Sequence, residues 1–355
     1  MLLRSMSAPL CVILWLLVWN ADGKQLGVVR GGLDVDLDVQ LVSMDAYVNL
    51  ADIVDSPRIP LSGEGEGHLG VEAAQKLLDA ERPMAVFLQR TSAAFSAFLD
   101  TLEKSASAPP SFVLLAVNGD PPMTNALQLR IAKLRGLKAC YATEMHPDAG
   151  TGLFYPMPLG MRYHEQGNYE PVLVSLSQTP SLLQVAGSVN HVASVVAQVK
   201  SIAPKFKDRI AKLLVPPLGK THPSREAFLK VLSRPEYREL AHVEEQGRSR
   251  LSVEEYMKLM STYKVVLSPP GFSYDCFRTW EALALGTAPA LLYDEKWNMG
   301  LYRQTNLSRY FLPSPEALTP ENLRAFLQRL ADPEDLHPFL TAAYWNTQWR
   351  SKLVE

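Results

Sequence analysis

From residue 84 onward, short apolar runs alternate with stretches whose apolar residues recur every three or four positions. The runs Met84–Gln89, Phe112–Val117 and Leu137–Thr143 predict buried strands. The stretches Thr91–Ser105 and Met123–Arg135 between them predict helices. Strands that alternate with helices in this way form a parallel sheet with helices on both faces, so we expect an α/β fold.

The same alternation resumes at Ala211. We expect a helix over Glu226–Leu232 and another over Pro320–Leu330, with Thr319 as its N-cap. Further strands are predicted at Ala211–Val215, Lys264–Leu267 and Thr287–Leu292. The second half of the chain is therefore predicted to form a sheet of its own.

A chain of 355 residues is long for one ordinary domain and suits two. The segment Ser201–Lys207, which Pro204 interrupts, predicts the linker between them. We expect an N-terminal domain over residues 24–203 and a C-terminal domain over residues 204–341. Residues 342–355 carry two tryptophans and are predicted to pack back on the body.

The stretch Tyr256–Leu292 organises the second half as one strand–loop–helix–strand unit. Pro269–Gly271 ends the first strand and turns the chain. Asp275 is predicted to be the N-cap of a helix over Cys276–Leu285, and Gly286 follows that helix as its C′ residue. A loop of this kind opens onto a helix N-terminus, where backbone N–H groups attract anions.

Arg278 falls in the first turn of that helix, where a cation opposes the helix dipole. An anion in front of the helix would explain it, and a guanidinium beside free N–H groups suits a phosphate or diphosphate. Glu281 lies three residues further on the same helix face, where its carboxylate could accept hydrogen bonds from ribose hydroxyls. The plainer interpretation is an Arg–Glu ion pair on the surface, which would contribute little to the stability of the fold. Arg225 also lies near a helix start after a strand.

The run LSPPGFSYDCFRTWEALALGTAPALL resembles the exostosin family of glycosyltransferases. The match is dense over Lys220–Leu312 and thin before Tyr141, with further family-like segments at Thr221–Arg225 and Pro156–Met161. The motif residues are Pro270, Gly271, Arg278, Trp280, Glu281, Ala282, Leu283, Gly286 and Pro289. This resemblance implies the glycosyltransferase-B arrangement, in which two Rossmann-like domains face each other across a cleft.

The resemblance further implies that the C-terminal domain binds a nucleotide sugar, for which a UDP-linked sugar is expected, and that the N-terminal domain binds a glycan or glycoprotein hydroxyl. As a hypothesis for the mechanism, Arg278, the helix N-terminus and Arg225 stabilise the departing diphosphate, a role often given to a metal, during a direct, inverting attack. The nucleotide sugar is then a co-substrate rather than a cofactor. The candidate donor-binding residues are Arg225, Ser268, Gly271, Asp275, Arg278 and Glu281.

Polar side chains follow two predicted strands of the N-terminal domain. Asp120 comes after one strand, and Glu144 and His146 come after the next. Ligands bind beyond the carboxyl ends of parallel strands, so these three residues are the candidates for the catalytic base. Each competes with an ordinary turn or capping role, and Asp120 precedes two prolines as turn residues commonly do. The family's acceptor-side residues match poorly here, which leaves the base open.

Two weaker motifs would indicate other functions, namely dinucleotide binding and cation binding. Gly65–Gly70 matches the dinucleotide fingerprint GxGxxG, but Glu64 and Glu66 would set negative charge against a pyrophosphate, so we interpret it as a loop. Asp34 and Asp36 could bind a cation, although a solvated strand face explains them as well. The alternative to an enzyme is a secreted sugar-binding protein that kept the fold and lost turnover.

Net charge and the N-terminal segment predict the binding partners and the cellular location of the protein. The formal net charge is −2, so the chain has no excess of positive charge that would favour nucleic-acid binding. Residues 1–23 have the composition of a signal peptide or an uncleaved signal anchor, which predicts the secretory pathway, a Golgi location or secretion, and contact with a membrane only through that anchor. Asn306 begins a glycosylation sequon. Cys140 and Cys276 are expected to be free thiols, although an oxidising lumen would allow them to pair.

Overall fold

The computed structural model describes residues 51–54, 67–90, 92–117, 123–145, 150–161, 195–245, 251–293 and 300–354. Within these ranges the chain forms two five-stranded sheets, and every strand pairs in parallel with its neighbours. The predicted α/β class with two Rossmann-like parallel sheets is confirmed. Both sheets belong to one compact unit of the chain.

The first sheet has its strands in chain order, β1-β2-β3-β4-β5. In β3 every residue is buried, and the strand pairs with β2 from Met84 opposite Phe112 to Gln89 opposite Val117. A strand that is apolar on both faces needs cover on both sides of the sheet. The strands are β1 (Ile53–Val54), β2 (Met84–Gln89), β3 (Phe112–Val117), β4 (Leu137–Ala142) and β5 (Phe154–Pro156).

The second sheet has the order β10-β9-β8-β6-β7. Its strands are β6 (Ile210–Val215), β7 (Ala241–Val243), β8 (Tyr263–Leu267), β9 (Ala288–Leu292) and β10 (Phe311–Leu312). The chain passes from β6 to β7 on one side and then returns to β8 on the other, so the order reverses between β6 and β8. Ligands bind at such a reversal, in the crevice beyond the carboxyl ends of the strands.

Helices connect the strands in both halves. Residues 195–202 are also helical, and short 3-10 segments occur at Phe206–Asp208, Pro235–Tyr237, Leu307–Tyr310 and Pro333–Leu340. The helices are α1 (Gly67–Leu78), α2 (Ala93–Lys104), α3 (Asn125–Ile131), α4 (Pro223–Leu232), α5 (Val253–Ser261), α6 (Phe277–Ala284), α7 (Gly300–Gln304), α8 (Pro320–Gln328) and α9 (Ala342–Val354).

The long central elements agree with the sequence pattern. Strands β2 and β3 have the predicted bounds, and Thr319 caps α8 as predicted, its hydroxyl accepting from the Asn322 N–H at 3.2 Å. The helix predicted at Met123–Arg135 is shorter, because Thr124 caps it and it ends at Ile131. The short strands β1, β5, β7 and β10 were missed, since two or three residues carry too little pattern. The strand proposed around Asp34 and Asp36 and the signal segment lie outside the described residues.

Gly70 shows why the GxGxxG segment is misleading. The prediction of a loop there is wrong for its described part, because Gly67 and the residues after it are helical in α1. A Cβ atom on Gly70 would lie 1.9 Å from the carbonyl oxygen of Ala94 in α2. Only a glycine allows the two helix backbones to approach so closely. Gly70 therefore has a packing role, and nothing in it calls for a dinucleotide.

One apolar core joins the second sheet to one face of the first. It includes Leu115 of β3 and Val266 of β8, together with Trp345 and Trp349 of α9. A separate cluster fills the space between the other face of the first sheet and α1 to α3. The Tyr141 hydroxyl of β4 donates to the carbonyl of Gln348 at 3.1 Å, so the C-terminal helix is tied to the first sheet. Among the described residues, no helix combines the length and apolar composition that a membrane span requires.

Asp52 fixes the start of the first sheet to α9. Its carboxylate accepts from the Ala85 N–H at 2.8 Å and from Arg350 Nη1 at 2.7 Å, and its side chain is 9% exposed. Burial raises the pKa of this carboxyl, but the hydrogen bonds from Arg350 and Ala85, together with the nearby positive charges, outweigh burial and hold the pKa below its usual value.

Asp52→Asn is expected to lower the free energy of unfolding by about 1–3 kcal/mol at pH 7. Because the pKa is lower in the folded than in the unfolded chain, the carboxylate stabilises the fold above about pH 4, and this contribution is lost as the pH falls through the folded pKa. Urea unfolding at pH 7 and at stepwise lower pH measures the effect, with Glu239→Gln, whose side chain is 94% exposed, as the control. A difference between wild type and Asp52→Asn that does not narrow below pH 4 would contradict the assignment.

Candidate functional site

The loops that follow β6 and β8 meet at the reversal of the second sheet. Arg225, in the first turn of α4, spans the two loops, and its Nε donates to the carbonyl of Pro270 at 2.6 Å. A Cβ atom on Gly271 would lie 3.0 Å from Arg225 Nη2 and 3.6 Å from Thr221 Oγ1. A larger residue would therefore push against the guanidinium. The predicted residues Arg225 and Gly271 are brought together here, with Thr221 beside them.

Arg278 approaches the same place from α6. Its Nε donates to the Tyr256 hydroxyl of α5 at 2.7 Å, so the side chain is held against that helix. Burial raises the pKa of Tyr256 to about 12, which keeps its hydroxyl protonated. Burial by itself lowers the pKa of Arg278, but Tyr256, Cys276 and Glu281 together outweigh it and raise the pKa, so the guanidinium stays charged.

Two buried polar atoms at this site lack a partner. Thr221 Oγ1 and Arg278 Nη1 are inaccessible to solvent, and neither has a hydrogen-bond partner among the described residues. A buried donor left without a partner costs about 1–3 kcal/mol. The pKa of Arg225 is lowered, first by burial and also by the positive charge of Arg278. The site thus concentrates two guanidinium charges and unused hydrogen-bonding capacity, which is the chemistry that binds an anion.

Cys276 lies between the two arginines. Its Sγ is 3.9 Å from Arg225 Nη2, and its backbone rather than that of Asp275 forms the N-cap of α6. The prediction that Asp275 is the N-cap is wrong, because the Asp275 carboxylate is used elsewhere. Gly286 follows the helix with φ +69°, as predicted for its C′ residue. Cys140 and Cys276 are both free thiols, the first buried and the second half-buried.

Asp275 is the centre of a buried hydrogen-bond network. Its carboxylate accepts from the backbone N–H of Leu159 at 2.7 Å, from Trp280 Nε1 at 2.8 Å and from the Tyr302 hydroxyl at 2.8 Å. Burial raises the pKa of Asp275, and these hydrogen bonds act in the opposite direction. Leu159 follows the first sheet, so Asp275 joins the two halves of the molecule. Trp280, a residue of the exostosin-like motif, supports this carboxylate.

Glu144 makes the matching connection from the first sheet. It is buried, lies two residues after the end of β4 with φ +47°, and accepts from the backbone N–H of Tyr274 at 2.7 Å and of Asp275 at 2.6 Å. A residue other than glycine at positive φ is uncommon, and surrounding contacts must hold it there. Each half of the molecule thus contributes a carboxylate to the other: Glu144 accepts from two backbone N–H groups of the second half, and Asp275 accepts from one of the first. The role of Glu144 as catalytic base stays a prediction.

Of the remaining predicted residues, two lie within the described ranges and two lie outside them. Ser268 is buried and its hydroxyl lies 3.0 Å from that of Thr279, so it supports the start of α6 from inside. Glu281 lies within electrostatic reach of Arg278 and Tyr256, consistent with a shared helix face. Asp120 and His146 lie outside the described residues. Within the described ranges, no cluster of three or more His, Cys, Asp or Glu side chains could bind a metal ion.

A cavity of about 30 Å³ lies between the two halves, beside the carboxylates of Glu144 and Asp275. Its lining includes Glu144, Met157, Asp275 and Tyr302. A volume of this size holds a water molecule, whereas pockets for small molecules measure about 300–1,000 Å³. The cavity is therefore part of the connection between the halves rather than a substrate pocket.

Three contributors to the site were not predicted. Thr221 belongs to the family-like segment Thr221–Arg225, so that segment was a signal that could have identified it. Tyr256 and Tyr302 have no sequence signal, because they reach Arg278 and Asp275 only through tertiary packing.

No family model matches this chain, and no curated protein matches it in sequence. Solved structures do match, among them the crystal structure of α,α-trehalose 6-phosphate synthase from Burkholderia multivorans. That match has 10% sequence identity and a TM-score of 0.43, and it covers 82% of this chain and 77% of that chain. A likeness of this degree does not extend to function. The exostosin resemblance accordingly depends on the motif residues alone.

Proposed function

We propose that this protein is an exostosin-like glycosyltransferase that transfers a sugar from a UDP-linked donor to a hydroxyl group of a glycan or glycoprotein. The observation that carries the proposal is the pair of buried, unpartnered atoms Thr221 Oγ1 and Arg278 Nη1 beside two guanidiniums. They lie at the reversal of the second sheet, where ligands of parallel sheets bind. A diphosphate would satisfy these groups and the charge together.

The chemistry follows from these positions. As the donor bond breaks, negative charge develops on the departing diphosphate, and Arg278 and Arg225 stabilise it without a metal ion. Glu281, one turn along α6, accepts hydrogen bonds from the ribose hydroxyls. A side chain of the N-terminal half of the chain, one of Asp120, Glu144 or His146, removes the acceptor proton in a direct, inverting displacement. Our proposal locates this reaction in the secretory pathway, in the Golgi or outside the cell; the signal-like composition of residues 1–23 and the exposed Asn306 of the sequon support it.

A thermal-shift screen of the full chain against UDP, GDP and their sugar conjugates tests the proposal. Ligand at 100 times its Kd adds about 2.7 kcal/mol of stability, which raises the Tm by about 5 °C or more. We expect UDP and one UDP-sugar to produce such a shift and inorganic phosphate to produce a smaller one. No shift with any nucleotide would contradict the proposal.

One observation favours a non-catalytic sugar-binding protein instead. Both carboxylate oxygens of Glu144 accept hydrogen bonds from backbone N–H groups, so this candidate base is already engaged. Release of UDP from the UDP-sugar that binds, with acceptor present, distinguishes the two functions. Binding without turnover over a broad acceptor panel would favour the binding protein.

A further inference from the structure

Phe272 is the most exposed aromatic side chain among the described residues. It is 75% exposed, whereas Tyr293, the next, is 40% exposed. Burial of a phenylalanine side chain stabilises a folded protein, and Phe272 does not supply that stabilisation. Single exposed apolar residues are common, so exposure alone does not indicate a site.

The loop that carries Phe272 is fixed on both sides. Before it, the Pro270 carbonyl accepts from Arg225, and the Gly271 N–H donates to the carbonyl of Ser273 at 2.8 Å. After it, the backbone N–H groups of Tyr274 and Asp275 are bound by the carboxylate of Glu144. The backbone on either side of Phe272 is therefore fixed while its ring faces solvent. A preorganised contact loses less conformational entropy when a ligand binds.

The position of this loop indicates which ligand the ring would meet. On one side Gly271 borders the anion site formed by Thr221, Arg225 and Arg278. On the other side Glu144 connects the loop to the first sheet. Phe272 thus stands between the diphosphate site and the half of the molecule that would hold the acceptor.

We infer that Phe272 is a stacking platform for the pyranose ring of the acceptor sugar; this inference rests on the proposed function. An aromatic face is electron-rich, and the C–H groups on one face of a pyranose carry partial positive charge, so the two attract each other as the ring sheds water. The platform orients the sugar so that its hydroxyl faces the donor carbon. Phe272 acts by positioning the substrate and transfers no proton.

Saturation-transfer NMR with methyl pyranosides of the gluco, galacto, manno and xylo series, in the presence of UDP, tests the inference. We expect at least one pyranoside to bind wild type, with upfield ring-current shifts of its C–H protons. Phe272→Ala should weaken that binding about 3- to 10-fold, Phe272→Tyr should preserve it, and Phe272→Leu should fall between them. Ile202→Ala, which truncates another exposed apolar side chain, 67% exposed, is the matched control and should change nothing.

Calorimetry with UDP separates this inference from the proposed function. If Phe272→Ala weakens pyranoside binding and leaves the UDP Kd unchanged, the inference is supported. If it weakens UDP binding instead, the ring stacks on the base, and the acceptor platform is wrong. Absence of pyranoside binding to wild type, or equal binding to Phe272→Ala, also overturns it. Failure of UDP to bind at all, with pyranoside binding still dependent on Phe272, would overturn the glycosyltransferase but not the sugar platform.

Discussion

Arg278→Ala should weaken UDP binding about 10- to 100-fold, because a charge-assisted hydrogen bond to phosphate is worth about 1.5–3 kcal/mol. The fold should lose little. The guanidinium makes one hydrogen bond to the Tyr256 hydroxyl, and its Nη1 makes none among the described residues. We expect the free energy of unfolding to fall by about 1 kcal/mol. Isothermal calorimetry with UDP and urea unfolding give the two values.

Two further variants make the result specific to the position. Arg324→Ala on α8 removes the same charge from an exposed side chain and should leave UDP binding unchanged. Arg225→Ala should reduce both UDP affinity and stability, because Arg225 also holds the Pro270 carbonyl. If Arg278→Ala binds UDP as tightly as wild type, the anion site lies elsewhere. Release of UDP from a UDP-sugar by Arg278→Ala at the wild-type rate would refute the catalytic role.

Glu144→Ala should destabilise the fold by about 2–5 kcal/mol, since it leaves two buried backbone N–H groups without acceptors. Those groups belong to Tyr274 and Asp275, next to the loop that carries Gly271 and Phe272. The variant would also loosen the contact between the two sheets, so UDP binding should weaken with stability. Differential scanning calorimetry and UDP titration measure both effects.

Glu144→Gln separates a positioning role from a catalytic one. Glutamine offers one acceptor oxygen and sets its NH₂ group against a backbone N–H, so a positioning role predicts a lower Tm and weaker UDP binding in this variant too. A catalytic base predicts an unchanged Tm and UDP Kd, together with loss of transfer and of the pH dependence of kcat. The second pattern would contradict the structural role and confirm the base. Glu239→Gln, which makes the same change in a side chain that is 94% exposed, is the control and should alter neither Tm nor UDP binding.

Much of the candidate site was predictable because its parts lie close together along the chain. Local pattern predicts the strand β8, the helix α6 and the strand β9. A buried apolar run, or a helix with its N-terminal and C-terminal signals, can be recognised within about ten residues. Gly271 and Arg278 were identified on that basis. The error at Asp275 has a physical cause, because a carboxylate before a helix suits capping, yet here distant donors bind it more strongly.

Local sequence pattern was sufficient to predict the α/β class, the long central strands, the position of Gly271 in the loop after β8, and the positions of Arg225 and Arg278 near helix starts. These features depend on residues near each other in the chain, whose spacing sets the period of each element. That β6 and β8 are neighbours, which places Arg225 against Gly271, depends on contacts between distant parts of the chain. The same packing lets Glu144 accept hydrogen bonds from the backbone of Tyr274 and Asp275, lets Asp275 accept one from Leu159, and gives Gly70 its role between two helices. Each of these outcomes depends on how whole elements pack. The free energy of that packing comes from residues that are far apart in the chain, so no local segment predicts it.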